Sequence, residues 1–239
     1  MSLPVAILAG GLATRLRPVT ERVPKALVKV AGRPFIEHQL SLLRRQGYMR
    51  IVLCLGYLGE MVERHLGNGK QFGVRLDYVF DGPQLLGTGG AVKLALPRLG
   101  DAFFVLYGDS YLLCDFKRVE DAFLASAGPA LMTVFDNDNK WDRSNVLYRD
   151  GMVLRYDKRN PTPDMRHIDY GLTALSANVL HPYAHGAAFD LAELYAALAA
   201  EKRLAGFEVT ERFYEVGSPG GLADTEKFMS SSEFSEFSR

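Results

Sequence analysis

Short apolar runs alternate with helical patterns through the first half of this 239-residue chain, and this alternation restricts the fold more than any other feature. In the segment Pro34–Gln46, for example, Ile36, Leu40 and Leu43 share one helical face behind a proline in the first turn. The expected elements are strands at Val5–Leu8, Ile51–Leu55, Val74–Val79 and Phe103–Tyr107, and helices at Pro34–Gln46, Glu60–Leu66 and about Gly89–Leu96. Such alternation predicts an α/β fold in which helices cover both faces of a parallel or mixed sheet.

The second half is less regular and is richer in strand patterns. We expect strands at Ala130–Phe135, Val146–Tyr148, Val153–Tyr156, Ile168–Leu175 and Phe213–Val216, and helices at Asp190–Ala200 and Pro219–Phe228. Asp150-Gly151 is a hairpin signal between two of these strands. No repeat or linker interrupts the chain, so residues 1–229 are expected to form one domain. The tail 230–239 shows no helix cap and is expected to fray.

Composition excludes several classes of function. Lys plus Arg number 28 and Asp plus Glu number 28, so no overall charge attracts the chain to nucleic acid or to an anionic membrane. The two cysteines, Cys54 and Cys114, form neither a disulfide framework nor a metal-binding spacing. No signal peptide precedes the first strand, and no apolar stretch approaches the roughly 18 residues that span a membrane. We therefore expect a cytoplasmic protein that binds neither nucleic acid nor membrane.

A loop rich in small residues and cations follows the first strand. Gly10 and Gly11 allow backbone N–H groups to approach a phosphate, and Arg15, Arg17 and Lys25 can neutralise it. A dinucleotide-binding loop is disfavoured because Gly-x-Gly-x-x-Gly is absent, and a P-loop is excluded because no Gly-Lys-Ser/Thr is present. The loop indicates a polyphosphate site, although an ordinary turn with solvated arginines stays open.

A carboxylate follows the strand Phe103–Tyr107. Gly108-Asp109 places this side chain at the carboxyl edge of the sheet, where open α/β folds bind their ligands. A hard oxygen ligand at this edge suits a Mg²⁺ ion that bridges phosphates. The alternative is that Asp109 merely caps a turn or a helix.

The loop also resembles a family signature. Gly-Gly-x-x-Thr-Arg-Leu-x-Pro-x-Thr begins at Gly10, and Pro-Lys-x-Leu-x-x-Val-x-x-x-Pro begins at Pro24, as in sugar-1-phosphate nucleotidyltransferases. The resemblance covers about residues 3 to 228 and is strongest before residue 40. Within this family, the chain is most similar to short bacterial members, including manno-heptose-1-phosphate guanylyltransferases and N-acetylmuramate-1-phosphate uridylyltransferases. The family usually has Gly where this chain has Ala13. Either this position needs less backbone freedom here, or the loop lies slightly differently.

The resemblance implies a fold and a nucleotide site. The fold would be the Rossmann-like, mixed and mostly parallel sheet of nucleotide-diphospho-sugar transferases. The stretch from Asp81 to Ala91 is similar to the family segment beside the nucleoside. The resemblance then assigns nucleotide contacts to Ala9, Gly10, Gly11, Thr14, Gly87, Thr88 and Gly89. Without it, this stretch would be only a turn with Thr88 as a helix N-cap.

The resemblance also assigns sugar and metal contacts in the second half. Lys158, in Asp157-Lys158, takes the place of a lysine that contacts the sugar phosphate. Glu215 stands where relatives have an aspartate that is the second metal ligand, and it is one methylene longer. Asn145 and Gly171 lie where relatives contact the sugar. Without the resemblance, the charged pair Asp157-Lys158 would be interpreted as a solvent-exposed strand end.

Together these residues fit one Mg²⁺-dependent reaction, in which a sugar-1-phosphate attacks the α-phosphorus of an NTP and releases pyrophosphate. Arg15 is assigned to the leaving pyrophosphate, Lys25 to the phosphates at the reacting centre and Lys158 to the sugar phosphate. Asp109 and Glu215 would hold Mg²⁺. Two alternatives stay open: a metal-dependent glycosyltransferase, which typically needs Asp-x-Asp, and a non-catalytic nucleotide-sugar sensor. A homodimer is compatible with the family.

Overall fold

The computed structural model describes residues 2–237, and its centre is a nine-stranded mixed sheet. The strands are β1 (Val5–Leu8), β2 (Lys29–Val30), β3 (Arg33–Pro34), β4 (Arg50–Leu55), β5 (Arg75–Phe80), β6 (Ala102–Tyr107), β7 (Ser110–Tyr111), β8 (Ala130–Asp136), β9 (Val146–Arg149), β10 (Met152–Tyr156), β11 (His167–Ser176), β12 (Leu204–Val209) and β13 (Tyr214–Glu215). The large sheet has the order β5-β4-β1-β6-β11-β8-β12-β10-β9, and β13-β7 and β2-β3 form two small sheets.

Most strands of the large sheet run in one direction. β1 pairs in parallel with β4 and β6, β4 with β5, and β8 with β12. β11 is antiparallel to β6 and β8, and β10 is antiparallel to β12 and β9. Only β10 and β11 therefore oppose the other seven strands of this sheet, which confirms the prediction of a mixed, mostly parallel sheet.

Helices cover both faces of the sheet, as the alternating pattern predicts. They are α1 (Phe35–Arg45), α2 (Gly59–Leu66), α3 (Gly87–Leu99), α4 (Phe116–Ala125), α5 (Leu191–Ala200), α6 (Pro219–Met229) and α7 (Ser232–Phe237). Successive strand residues enter different cores: Val5 and Ile7 pack on the face of α1, α2 and α4, while Ala6 packs on the face of α3 and α5. None of the helices within residues 2–237 has the length and apolar character needed to cross a membrane.

Several elements were not anticipated from the sequence, among them helix α4 and strand β12. Helix α4 is capped by Asp115, whose carboxylate accepts hydrogen bonds from the N–H groups of Lys117 and Arg118. Strand β12 joins the sheet beside β8 although it contains Gly206, where a Cβ atom would lie 2.5 Å from the ring of Tyr148. Glycine weakens a strand signal in sequence, and here it is required by a close contact between strands.

The end of the chain carries a helix cap that the sequence pattern did not show. The Ser231 hydroxyl accepts a hydrogen bond from the N–H of Phe234 at 3.2 Å, and helix α7 begins at Ser232. The Phe234 ring packs against Tyr111 and Phe228 with centroid distances of 5.7 and 5.5 Å. Fraying of this tail stays a prediction, and its last two residues lie outside the described part of the chain.

Candidate active site

The loop that follows β1 is fixed against the end of β4. The N–H of Ala9 donates to the carbonyl of Cys54 at 2.9 Å, and the N–H of Tyr57 donates to the carbonyl of Gly10 at 3.2 Å. A Cβ atom at Gly10 would lie 2.9 Å from the backbone nitrogen of Gly56, so only glycine allows this approach. The loop is therefore held where the parallel strands β1 and β4 end.

Ala13 adopts a left-handed backbone conformation, with φ 48° and ψ 43°. Its carbonyl accepts a hydrogen bond from the Thr20 hydroxyl at 2.8 Å, which closes the loop on itself. The expectation that this position needs less backbone freedom is therefore wrong: the conformation that favours glycine is kept, and an alanine adopts it. A single 3₁₀ turn, Thr14–Leu16, follows and carries the exposed Arg15.

Asp109 follows β6 and lies next to the end of β1, because Gly108 allows the two backbones to approach closely. The N–H of Gly108 donates to the carbonyl of Leu8 at 3.0 Å, and a Cβ atom at Gly108 would lie 2.4 Å from that oxygen. The Asp109 carboxylate accepts a hydrogen bond from the Lys25 ammonium, with Oδ2 and Nζ 2.7 Å apart. Two residues of separate predicted motifs are thus brought together as an ion pair.

Glu215 reaches the same place through the small sheet of β7 and β13. Its backbone pairs with Ser110, and the N–H of Val216 donates to the carbonyl of Asp109 at 2.9 Å. A Cβ atom at Gly217 would lie 2.8 Å from Asp109 Oδ2, 2.8 Å from Glu215 Oε2 and 3.1 Å from Arg15 Nη2. Because both carboxylate oxygens lie 2.8 Å from the same Cβ position, they are at most twice this distance apart. Gly217 provides the space in which two carboxylates and a guanidinium converge.

The Glu215 side chain lies over the N-terminus of α6. Its Oε1 accepts from the Ser218 hydroxyl at 2.5 Å, and its Oε2 accepts from the N–H of Gly217. The Ser218 oxygen in turn accepts from the N–H of Gly221 at 3.0 Å, so Ser218 is the N-cap of α6. Hard oxygen donors of this kind fit Mg²⁺. Within residues 2–237 no group of three or more potential metal ligands gathers, so the two carboxylates form a partial ligand set.

A pocket of about 220 Å³ opens beside the ion pair. Its lining includes predicted nucleotide contacts from both chain segments, namely Ala9, Gly10, Gly11, Gly87 and Thr88, together with Lys25 and Asp109. Leu8, Cys54, Leu85 and Ala91 add an apolar surface. Burial raises the pKa of the Cys54 thiol to about 12, so this side chain is a small neutral group. The pocket therefore has an apolar surface and a charged end.

Of the predicted nucleotide contacts, Gly89 and Thr14 do not line this pocket, and the hydroxyl of a third, Thr88, has partners within the protein. A Cβ atom at Gly89 would lie 2.2 Å from the ring of Phe189, so the ring that lies against this glycine belongs to the protein. Thr88 does not cap its own helix: its hydroxyl donates to Asp190 Oδ1 and accepts the N–H of Leu191, at the start of α5. Thr14 lies on the exposed 3₁₀ turn rather than in the lining of this pocket.

Lys158 does not line this pocket itself, but it contacts Tyr107, which does. The Lys158 Nζ atom lies 3.3 Å from the Tyr107 hydroxyl oxygen and 4.8 Å from the centre of its ring. The Tyr107 hydroxyl donates to Asp169 Oδ2 at 2.9 Å. Burial and then the negative charge of Asp169 raise the pKa of Tyr107 well above its usual range, so its hydroxyl keeps its proton.

Asn145 and Gly171, the predicted sugar contacts, both hydrogen-bond Asp169. The N–H of Asp169 donates to Asn145 Oδ1 at 3.0 Å, and the N–H of Gly171 donates to Asp169 Oδ1 at 3.1 Å. Gly171 has a φ of 108° that favours glycine. Their contacts with a sugar stay a prediction, while their contacts with Asp169 are part of the protein.

Three side chains of this site were missed from the sequence: Asp81 and Tyr107, which line the pocket, and Asp169. Asp81 begins the stretch from Asp81 to Ala91 and Tyr107 ends the strand Phe103–Tyr107, so their positions at strand ends could have indicated both. With them, the site combines a partly apolar pocket, three cations and two adjacent carboxylates. Such a set can bind a polyphosphate and a divalent cation at the carboxyl edge of the sheet.

Comparisons with known proteins agree with this chemistry. The model of the nucleotidyl transferase family matches residues 5–144. Mannose-1-phosphate guanyltransferase of Saccharomyces cerevisiae is 32% identical over 223 residues, which are 89% of this chain and 61% of that protein. D-glycero-alpha-D-manno-heptose 1-phosphate guanylyltransferase of Aneurinibacillus thermoaerophilus is 28% identical over 64% of this chain and 66% of that protein. The chain thus spans about three fifths of the length of the mannose-1-phosphate guanyltransferases that it matches.

Solved structures show the same fold. The crystal structure of HddC from Yersinia pseudotuberculosis has a TM-score of 0.81 and 25% identity, and the match covers 96% of this chain and 100% of HddC. The same protein in complex with GMP-PN has a TM-score of 0.78.

Proposed function

Since this chain belongs to the nucleotidyl transferase family, we propose that it joins a nucleoside triphosphate and a sugar-1-phosphate to give an NDP-sugar and pyrophosphate. The observation that carries this proposal is the convergence of Arg15, Asp109 and Glu215 around Gly217, beside a pocket lined by the glycine-rich loop. The names of the relatives support a guanylyl transfer to a mannose- or manno-heptose-type sugar phosphate. GTP is therefore the first nucleotide to test.

The chemistry requires positioning and charge neutralisation. An oxygen of the sugar phosphate attacks the α-phosphorus, a new P–O bond forms, and the bond to the bridging oxygen of the β-phosphate breaks. The electron pair of that bond leaves with pyrophosphate, whose charge Arg15 neutralises. The nucleophile is already an anion, so no general base is needed. Lys25 would neutralise the phosphates at the reacting centre, and Lys158 would orient the sugar phosphate.

Asp109 and Glu215 fit a divalent cation because their carboxylate oxygens converge on one small space. They would hold Mg²⁺, which would withdraw negative charge from the phosphate that reacts. Lys25 is the ion-pair partner of Asp109 and would neutralise the phosphates beside these carboxylates. The site thus opposes the charge of two anionic substrates with local cations although the whole chain has no net charge.

A pyrophosphate-release assay tests the proposal. Purified protein with Mg²⁺ is given each of four NTPs with a panel of sugar-1-phosphates, and pyrophosphate is measured. We expect turnover with at least one pair, and loss of Mg²⁺-dependent turnover in Asp109→Asn. Asp121→Asn is the matched control, because Asp121 is an exposed residue of α4 that pairs with Lys117 on the surface.

The outcomes separate the alternatives. Binding of NTP without turnover by any pair would favour a nucleotide-sugar sensor. Consumption of an NDP-sugar without pyrophosphate would favour a glycosyltransferase. The homodimer and the cytoplasmic location stay predictions, which sedimentation and fractionation can check.

A further inference from the structure

Asp169 is a buried carboxylate with no role in the proposed reaction. Its residue is 8% exposed and lies in β11, beside β6. Its Oδ2 accepts from the hydroxyls of Tyr107 at 2.9 Å and Tyr156 at 3.2 Å, and its Oδ1 accepts from the N–H of Gly171 at 3.1 Å. A buried charge that receives three hydrogen bonds from neutral donors is stabilised without a cation in direct contact.

The chemistry of the carboxylate fixes the direction of the chain of hydrogen bonds. An ionised carboxylate only accepts, so the Tyr107 hydroxyl must donate its single proton to Asp169. The Tyr107 oxygen is then left as an acceptor, and the Lys158 ammonium lies 3.3 Å from it. Lys158 donates one of its three N–H bonds to Tyr107 and keeps two for another partner.

The same two tyrosines present their rings to the ammonium. The Lys158 Nζ atom lies 4.8 Å from the ring centre of Tyr107 and 5.7 Å from that of Tyr156, within the range of cation–π attraction. Asp169 accepts hydrogen bonds from both hydroxyls. The two tyrosines that contact Lys158 therefore share one buried hydrogen-bond partner.

We propose that Asp169 is a positioning residue for Lys158, acting through Tyr107 and Tyr156 to hold the ammonium at the edge of the nucleotide pocket. The part of the proposal that concerns the substrate rests on the proposed function, in which Lys158 orients the sugar phosphate. The incoming substrate would meet an ammonium that is already in place, with two N–H bonds available. Lys158 then loses less conformational entropy on binding than a freely moving lysine side chain would.

The first test measures the lysine itself and does not depend on turnover. The ligand-free protein is labelled with a limiting amount of acetic anhydride, and the extent of acetylation at Lys158 is compared by mass spectrometry with that at the exposed Lys140. We expect the ratio to rise at least threefold in both variants, because Asp169→Asn removes the nearby negative charge that holds the Tyr107 hydroxyl and Tyr107→Phe removes the oxygen that accepts from the ammonium. Tyr195→Phe is the matched control: Tyr195 is buried with its ring centre 5.5 Å from that of Tyr156, but its hydroxyl is not bonded to Asp169.

The second test measures steady-state kinetics in the same variants. Asp169→Asn and Tyr107→Phe should raise KM for the sugar-1-phosphate about tenfold while KM for the NTP changes less than twofold. In a Lys158→Met background the Tyr107→Phe change should have no further effect, because it acts through the lysine. Tyr195→Phe should leave both KM values unchanged.

Each outcome has one meaning. Unchanged labelling of Lys158 in both variants overturns the proposal whatever the activity. Raised labelling with an unchanged KM for the sugar phosphate overturns the role toward the substrate. Raised labelling in a protein that turns over no substrate pair supports the positioning of Lys158 and overturns the proposed function instead. If Asp169→Asn does not fold, Tyr107→Phe alone decides, since it removes only the connecting hydroxyl.

Discussion

Replacing Ala13 by glycine should stabilise the protein. Ala13 has a φ of 48°, a conformation that costs an L-residue with a Cβ atom about 1–2 kcal/mol and costs glycine almost nothing. Against this gain, glycine gives the unfolded chain more freedom, which costs about 0.4–1 kcal/mol. From the midpoints of these two ranges, Ala13→Gly should raise the free energy of unfolding by about 0.8 kcal/mol.

Urea denaturation and thermal melting measure this effect. For a chain of this length, about 1 kcal/mol corresponds to a shift of roughly 2–4 °C, so we expect the Tm to rise by about 1–4 °C. Two further alanines give matched controls. Ala31 has a φ of 47° in the turn between β2 and β3, away from the site, and Ala31→Gly should be stabilising to a similar extent. Ala197 is exposed within helix α5, and Ala197→Gly should be destabilising by about 1 kcal/mol.

The sign of the Tm change in the three alanine-to-glycine variants tests the role of backbone conformation at Ala13. If Ala13→Gly lowers the Tm as Ala197→Gly does, the left-handed conformation at Ala13 is not what determines its stability. If Ala31→Gly is stabilising and Ala13→Gly is not, the loop changes conformation when the methyl group is lost. The urea m-value should stay constant in all three variants, because the surface exposed on unfolding is the same.

Three further predictions follow from close packing and burial. Gly108→Ala should lower the free energy of unfolding by about 1–3 kcal/mol and reduce turnover, because its methyl group would lie 2.4 Å from the carbonyl oxygen of Leu8; chemical denaturation measures the loss. Cys54 and Cys114 are buried free thiols whose pKa values burial raises, so at pH 8 neither should react with a thiol reagent until urea unfolds the chain. Burial lowers the pKa of His38 below 6.5, so its contribution to stability is complete above that pH and is lost as the pH falls below it; His38→Gln should show a smaller loss of stability between about pH 6.5 and pH 5 in urea titrations.

The local features of this chain follow from the sequence alone. The alternation of apolar runs and helical patterns predicts the α/β class, because strand and helix periods are properties of neighbouring residues. The glycine-rich loop and Gly108-Asp109 are contiguous motifs, and a motif after a strand must lie at the carboxyl end of that strand. The charged loop and Asp109 were therefore predictable, and β6 and β1 are paired in parallel as that prediction requires.

Only the tertiary structure determines which residues outside those motifs become neighbours in the site. Glu215 reaches Asp109 because β13 pairs with β7, and no local pattern encodes the pairing of two such short strands. Asp169 meets Tyr107 because β11 lies antiparallel to β6 with Leu172 opposite Leu106. Strand order and register are set by the packing of whole apolar faces, where a shift of one residue would turn every side chain to the other face. The sequence alone determined the glycine-rich loop with its cations and the carboxylate of Asp109, and the packing of the sheet decided that Glu215 lies beside Asp109 and that Asp169 lies beside Tyr107.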